Sequence, residues 1–440
     1  MNASEQNKQN QQERVIPKLR FPEFQTALGW KQDILGNLFD ERGKKNHPEK
    51  TILAATQDKG VIPYELMEKS VIRDRKNLNG YKLVLPEDFV ISLRSFEGGF
   101  EYSAYEGIIS PAYVILYPKI KICNYFFRIY FKRDSFIQQI QNNLNNSLRD
   151  GKSISYKQAA GLKIALPLFE EQQKIADCLS SLDELIELQE QKLAALKQHK
   201  KGLMQQLFPS HNDLQASKQA SKQASKQASK QASKQASKQA SKIVYPKLRF
   251  PQFKNCEGWD VVELRDVGYF VKEKMEVINL ESPNYISTEN LLSDYGGVTA
   301  SNKLPTTEKV TAYKKNDILV SNIRPYLKKV WQADKNGGAS NDIIIIRAKP
   351  SINISFLSFA IKNDDFIDYM MKGAKGVKMP RGDLNLISIF PVAVPTSPKE
   401  QQAIADCLSS LDNLINEQNE RIGRLKTHKK GLMQQLFPNI

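Results

Sequence analysis

The chain has 440 residues, 40% of them hydrophobic, with 64 Lys and Arg against 48 Asp and Glu and a formal net charge of +16. That is enough apolar material for more than one core, and the positive balance points to a polyanionic partner; +9 remains when seven lysines of a low-complexity tract are set aside. Four cysteines without CxxC spacing and four histidines without a Cys/His cluster argue against a zinc site or a disulfide framework.

Residues 1–16 are expected to form a polar, disordered tail. The first fourteen, MNASEQNKQNQQER, lack the apolar core of a secretory leader. No run approaches the ~20 apolar residues of a membrane span, so the protein is expected to be cytoplasmic, with no membrane partner. A first globular domain is expected over 17–168, opening on PKLRFPEFQ at Pro17 and reaching Trp30. The same phrase, PKLRFPQFK, opens a second over 246–397 at Pro246 and reaches Trp259.

The stretch 170–209 returns at 399–438 with 28 of 40 positions identical. Pro17 with Pro246, Trp30 with Trp259, Asp177 with Asp406 and Gly202 with Gly431 all lie 229 residues apart. The chain is a tandem duplication whose frame stayed fixed while its globular parts diverged, and pseudo-twofold symmetry is expected of it.

Long helices are expected over 169–208 and 398–440. Ile175, Leu179, Leu182, Ile186, Leu193, Leu196, Leu203 and Leu207 follow steps of four and three, turning polar at Gln189 and Lys200. Ile404, Leu408, Leu411, Ile415, Ile422, Leu425, Leu432 and Leu436 repeat this, with Gln418 and Lys429 at the interruptions. This is a heptad seam. Each helix would extend about 57 Å and needs a partner. The duplicate helix, running antiparallel with Gln189 and Gln418 fixing register, is one candidate, and each helix's own globular domain is the other. Cys178 and Cys407 read as small core-facing thiols, and His199 and His428 as exposed opposite the seam. Pro209 and Pro438 end the helices.

The linker over 209–245 contains ASKQ six times and a final ASK, from Ala216 to Lys242. A four-residue period builds no constant apolar face, so the tract reads as a solvated helix or a flexible tether.

Between the conserved blocks, DFVISL (88–93) and DILVSN (317–322) read as strands at the same offset, and SPAYVIL (110–116) and SNDIIII (340–346) as a second matched strand one residue further on. The two domains are expected to share one α/β or α+β fold. Their differing loops carry groups suited to nucleic acid. In the first, these are Arg94 and Ser95 before paired glycines, then Arg149, Lys152, Ser153 and Tyr156. In the second, Thr288 and Asn290 lie in YISTENL, Asn322, Arg324, Tyr326 and Lys328 in SNIRPYLKK, and Lys375, Lys378 and Arg381 in KGAKGVKMPRGD. Arg and Lys suit phosphates and guanine edges, Asn suits adenine, and glycine permits close approach. No GxxxxGK[ST] loop, adenine-methyltransferase tetrapeptide, glycine-rich cofactor turn or HExxH occurs. Neither a catalytic residue nor a metal ligand is expected in this chain.

The paired EEQQKIADCLSSLDELI and KEQQAIADCLSSLDNLI helices, the PKLRFP openings, and the phrases YISTENLL, DILVSNIRPYLKKVW, GGASND and VKMPRGD closely resemble the specificity subunit of type I restriction–modification enzymes. The resemblance covers Pro17 to the C-terminus apart from the ASKQ tract. It implies two target-recognition domains separated by two antiparallel helices, each domain reading half of a bipartite, asymmetric site in double-stranded DNA while the helices set the unread gap. About 57 Å corresponds to at most about 17 base pairs. It further implies two modification subunits and restriction (motor-nuclease) subunits as partners, with S-adenosylmethionine, ATP and Mg2+ belonging to those partners and no cofactor to this chain. In relatives, short repeats between the halves alter the spacer that is read. Two other readings fit parts of the pattern: the recognition half of a single-chain restriction–modification enzyme, which a fused catalytic reading frame would mark, and a coiled-coil scaffold whose heads bind no DNA.

Overall fold

The computed structural model describes residues 14–67, 75–91, 99–142, 145–147, 151–210, 213–214 and 243–438; the ASKQ tract lies outside them. The chain divides into two units, one of residues 1–190 with 421–440 and the other of residues 191–420.

In the first unit Trp30–Ile34 is the centre of a three-stranded antiparallel sheet, flanked by Arg14–Val15 and Lys163–Leu166. A four-stranded antiparallel sheet follows in the order Phe39–Glu41, Val114–Pro118, Phe89–Ile91, Phe100–Tyr102. The second unit repeats both. Trp259–Glu263 lies between Ile243–Val244 and Pro391–Val394, and the larger sheet runs Gly268–Phe270, Ile343–Ala348, Ile318–Ser321, Val330–Gln332. Antiparallel pairing puts the shared fold on the α+β side of the expectation. The matched strands pair with each other as neighbours, Ile91 opposite Val114 and Ser321 opposite Ile343.

These strands read as unbroken apolar runs because both faces are covered. Ile318 and Val320 enter the main core of the second unit, while Leu319 faces a separate cluster with Trp331 and Ile345. Phe89 and Ile91 divide from Val90 in the same way. The repeats diverge beside this second face. The first unit has two strand pairs there, Leu53–Thr56 with Gly60–Pro63 and Lys82–Val84 with Gly107–Ile109. The second has a four-stranded sheet, Lys274–Glu276, Lys309–Tyr313, Gly337–Ala339 and Tyr285–Ile286, whose last pair is parallel.

The long helices run Phe169–Leu207 and Pro398–Leu436, 39 residues each. Their first turns are bolted to their own domains by one motif used twice. Glu171 is buried and accepts two hydrogen bonds from Arg20, each at 2.7 Å, and one from the indole of Trp30 at 3.1 Å. Glu400 repeats this with Arg249 at 2.7 Å and Trp259 at 3.2 Å. Gln172 and Gln401 each accept a main-chain N–H from the globular domain, of Cys123 and Asn353, and donate to Pro167 and Pro395. The EQQ and PKLRFP phrases are thus two halves of one joint.

The helix ends go elsewhere. Leu436 and Phe437, from the second helix, complete the core around Trp30, whose ring meets Phe437 edge-on at 6.0 Å. Leu207 and Phe208 complete the core around Trp259. In each unit, therefore, the start of one helix lies beside the end of the other. The polar interruptions tie these segments. Lys429 pairs with Asp183 and Lys426 with Glu190 in the first unit, and Lys200 with Asp412 at 2.5 Å in the second. Rising numbers on one helix meet falling numbers on the other, so the segments are antiparallel. Both partners expected from the seam are used: the helices' own domains at their starts and the duplicate helix beyond. Cys178 and Cys407 are half-buried, and His199 and His428 are exposed.

Candidate nucleic-acid interface

In the second unit three loops converge at one edge of the larger sheet. After Ser321 the chain turns back toward Val330 through 322–329, holding Ser321 N–H on the Lys329 carbonyl at 3.0 Å and Asn322 N–H on the Asp342 carbonyl at 2.8 Å. Pro325–Leu327 makes one 3-10 turn between Arg324 and Lys328, both left-handed with φ of 51° and 54°. For residues with a Cβ this conformation costs about 1–2 kcal/mol each, and such strain tends to collect at functional loops.

The second loop, 375–381, is a short finger closed by reciprocal main-chain hydrogen bonds between Lys375 and Arg381, both 3.0 Å. It is fastened to the first loop through Arg324 N–H on the Pro380 carbonyl at 2.9 Å and Gly382 N–H on the Asn322 carbonyl at 3.3 Å. The third, 287–290, is closed by Asn290, whose Oδ1 accepts from the Ser287 N–H and hydroxyl at 2.9 and 2.8 Å. Lys329 Nζ donates to the Thr288 carbonyl at 2.6 Å and joins it to the others.

The proposed side chains divide by what they hold. Lys328 bonds Asp364 at 2.8 Å, and that hydrogen bond raises its pKa above the ordinary value. Arg381 pairs with Asp342 at 2.9 Å while remaining largely exposed. Arg324, Lys375 and Lys378 are exposed and have no side-chain partner among the described residues. Tyr326 is half exposed. Asn322 Oδ1 is buried with no hydrogen-bond partner among them, a costly state for an amide. The arrangement is a preformed cationic edge with three exposed positive charges that have no side-chain partner among the described residues, suited to phosphates and base edges.

The first unit has a finger in the same topological place. Strands Asn145–Ser147 and Gly151–Ser153 pair antiparallel between helices Asp134–Asn142 and Tyr156–Ala160, as 375–381 lies between Asp364–Lys372 and Leu384–Ser388. Arg94, Ser95 and Arg149 lie outside the described residues, as do the side chains of Lys152 and Ser153. Tyr156 donates its hydroxyl to the Phe39 carbonyl at 3.0 Å and packs against the core.

Sequence reasoning passed over Glu101. It is buried in Phe100–Tyr102, paired with Lys132, and its Oε2 has no partner among the described residues. Burial pushes its carboxyl up to about 7 against the pull of Lys132. Because that lies above the unfolded value, its contribution to stability is full at acid pH and is lost as pH rises through about 7. Glu101→Gln is expected to stabilise the first unit by about 2 kcal/mol at pH 8 and to change little at pH 4.5; denaturant titrations at both values measure it. An acidic residue in an alternating strand gives no sign of this burial.

Among the described residues no group of His, Cys, Asp and Glu could hold a metal ion, and no helix is long and apolar enough to cross a membrane.

The chain is thus one α+β frame used twice, with a cationic edge built on the second copy. The family described as the type I restriction modification DNA specificity domain matches the chain twice, over residues 28–198 and 256–425, and the chain belongs to that family. A curated relative from Methanocaldococcus jannaschii, assigned as the MjaX specificity subunit of a type I restriction enzyme, is 24% identical over 430 residues, covering 88% of this chain and 89% of the relative. The fold is similar to the crystal structure of a type I restriction-modification system S subunit from M. genitalium, with TM-score 0.53, 15% identity, and 97% and 100% of the two chains covered. It is also similar to a solved chain described under complex assembly and conformational transition of the type I R-M system, with TM-score 0.50, 13% identity, and 96% and 100% covered.

Proposed function

We propose that this chain is the non-catalytic, DNA-reading subunit of a type I restriction–modification complex, each globular domain reading one half of a bipartite, asymmetric site and the helix pair setting the spacer. The observation that carries this reading is a frame repeated to the atom pair beside unlike loops. Arg20, Trp30 and Glu171 recur as Arg249, Trp259 and Glu400, while the fingers differ in sequence at one topological place. A common frame with two different edges suits one partner type reading two different half-sites. The domain division proposed is 17–168 and 246–397, each joined by the strand just before it, Arg14–Val15 in the expected tail and Ile243–Val244 in the expected linker, and followed by the helix Phe169–Leu207 or Pro398–Leu436.

The partners proposed are double-stranded DNA, two modification subunits and restriction subunits, which would bring S-adenosylmethionine, ATP and Mg2+; the setting is cytoplasmic. Two identical modification subunits need two equivalent surfaces. Ile16 and Tyr245, Leu19 and Leu248, and Leu185 and Leu414 are repeat-equivalent pairs, each at least 36% exposed in both copies. Leu248→Asp is expected to reduce the modification-subunit content of the purified complex from two to one, measured by native mass spectrometry. Footprinting tests the DNA reading: two protected stretches with an unprotected gap, and affinity falling steeply with salt, support it. Salt-independent or absent protection would return the scaffold reading.

A further inference from the structure

The finger 375–381 exposes apolar side chains where a cationic edge alone would need none. Val377 is fully open to solvent and Met379 about half exposed, two residues apart and beside Lys375 and Lys378, which have no side-chain partner among the described residues. Single exposed apolar residues are ordinary, but this pair stands on a fixed hairpin. Lys375 and Arg381 close it, Arg324 N–H holds Pro380, and Gly376 makes the bend at φ 100°, where a Cβ would be strained and would press on the Met379 carbonyl at 3.2 Å. The finger is a short loop closed by a single antiparallel bridge between Lys375 and Arg381; the major groove, about 12 Å wide, admits an element of this size with its base stack intact, whereas apolar side chains in the narrower minor groove act as wedges that unstack base steps. In the major groove the one apolar group on a base edge is the thymine C5 methyl.

We infer that Val377 and Met379 read a thymine methyl in the half-site addressed by the second unit, with Lys375 and Lys378 holding the flanking phosphates. This deepens the DNA-reading function proposed above and rests on it. The tip supplies sequence preference through contact area, and the lysines supply affinity that is independent of sequence.

The test uses the full chain assembled with its modification subunit and duplexes bearing the mapped site, in which thymines of that half-site are replaced one at a time by deoxyuridine. One replacement is expected to weaken wild-type binding about fourfold, the value of one buried methyl. Val377→Ser with Met379→Ser is expected to bind thymine and deoxyuridine duplexes alike, while preference at the other half-site is kept. Both side chains are exposed, so the fold does not depend on them. Lys378→Gln should weaken both duplexes equally. Equal wild-type binding to every deoxyuridine duplex, a half-site without thymine, or intact thymine preference in the double variant would each overturn the inference and leave DNA reading standing. So would a rise in 2-aminopurine fluorescence without methyl dependence, which would mark base unstacking instead. Sequence-independent binding by the wild type would overturn both.

Discussion

Glu171→Ala is expected to destabilise the first unit by about 3–5 kcal/mol, because it leaves a buried guanidinium without its counter-charge. Arg20 and Glu171 have side chains only 6% and 1% exposed. After the substitution Arg20 keeps its bonds to the Ala27 and Leu28 carbonyls, yet nothing neutralises it, and the Trp30 indole loses its acceptor as well. Replacing both charges, Arg20→Met with Glu171→Leu, is expected to recover part of the loss, since it removes the unpaired charge but leaves the Trp30 indole and the Ala27 and Leu28 carbonyls without their partners. Hydrogen exchange localises the effect. Protection should fall across Trp30–Ile34 and Lys163–Leu166 and persist across the equivalent strands Trp259–Glu263 and Pro391–Val394. Unchanged protection in the first pair would mean that the joint does not hold the helix to its domain.

The second large effect is expected at Arg324. Its left-handed main chain donates to the Pro380 carbonyl of the neighbouring finger and accepts from the Leu327 N–H of its own loop, and its guanidinium is exposed and without a partner among the described residues. Arg324→Ala is expected to lower affinity for the second half-site by about 10- to 100-fold, the value of one bidentate base contact at 1–3 kcal/mol. Recognition of the first half-site should be unaffected. Binding to duplexes with one half-site scrambled separates the two. A uniform loss across sequences, with the salt slope reduced by about one, would make Arg324 a phosphate contact instead.

The frame was legible because duplication prints it twice: offsets equal to within one residue marked the matched strands, and the seam marked the helices. What the chain did with those pieces was not. Arg20 and Glu171 are 151 residues apart, and no local pattern links them, so PKLRFP read only as an opening phrase. The heptads showed that each helix needs partners without showing that its last turn fills the core around the other repeat's tryptophan. Asp88 and Asp317 keep their offset, yet Arg42 reaches the first from beyond Phe39–Glu41 and Arg347 the second from Ile343–Ala348; divergence kept the acid and moved its base.

At the edge, residue type was a partial guide. Counting charges in glycine-containing loops found Arg324, Lys375 and Lys378, which have no partner among the described residues, and equally Lys328, which is neutralised by Asp364. It passed over Val377 and Met379, because an apolar residue in a basic loop gives no one-dimensional sign of whether it turns in or out. Asn290 and Tyr156 illustrate the same gap: their polar atoms close a turn and brace a strand.

The central claim, that two unlike edges on one repeated frame read one split site, is tested most directly by single-molecule methylome sequencing of DNA from cells expressing this chain with its modification subunit, beside cells expressing Arg324→Ala. The account predicts a bipartite motif with adenine methylation in both halves, and in the variant a loss or relaxation confined to one half. A continuous motif, or an active, soluble complex that leaves no sequence-specific methylation, would contradict it.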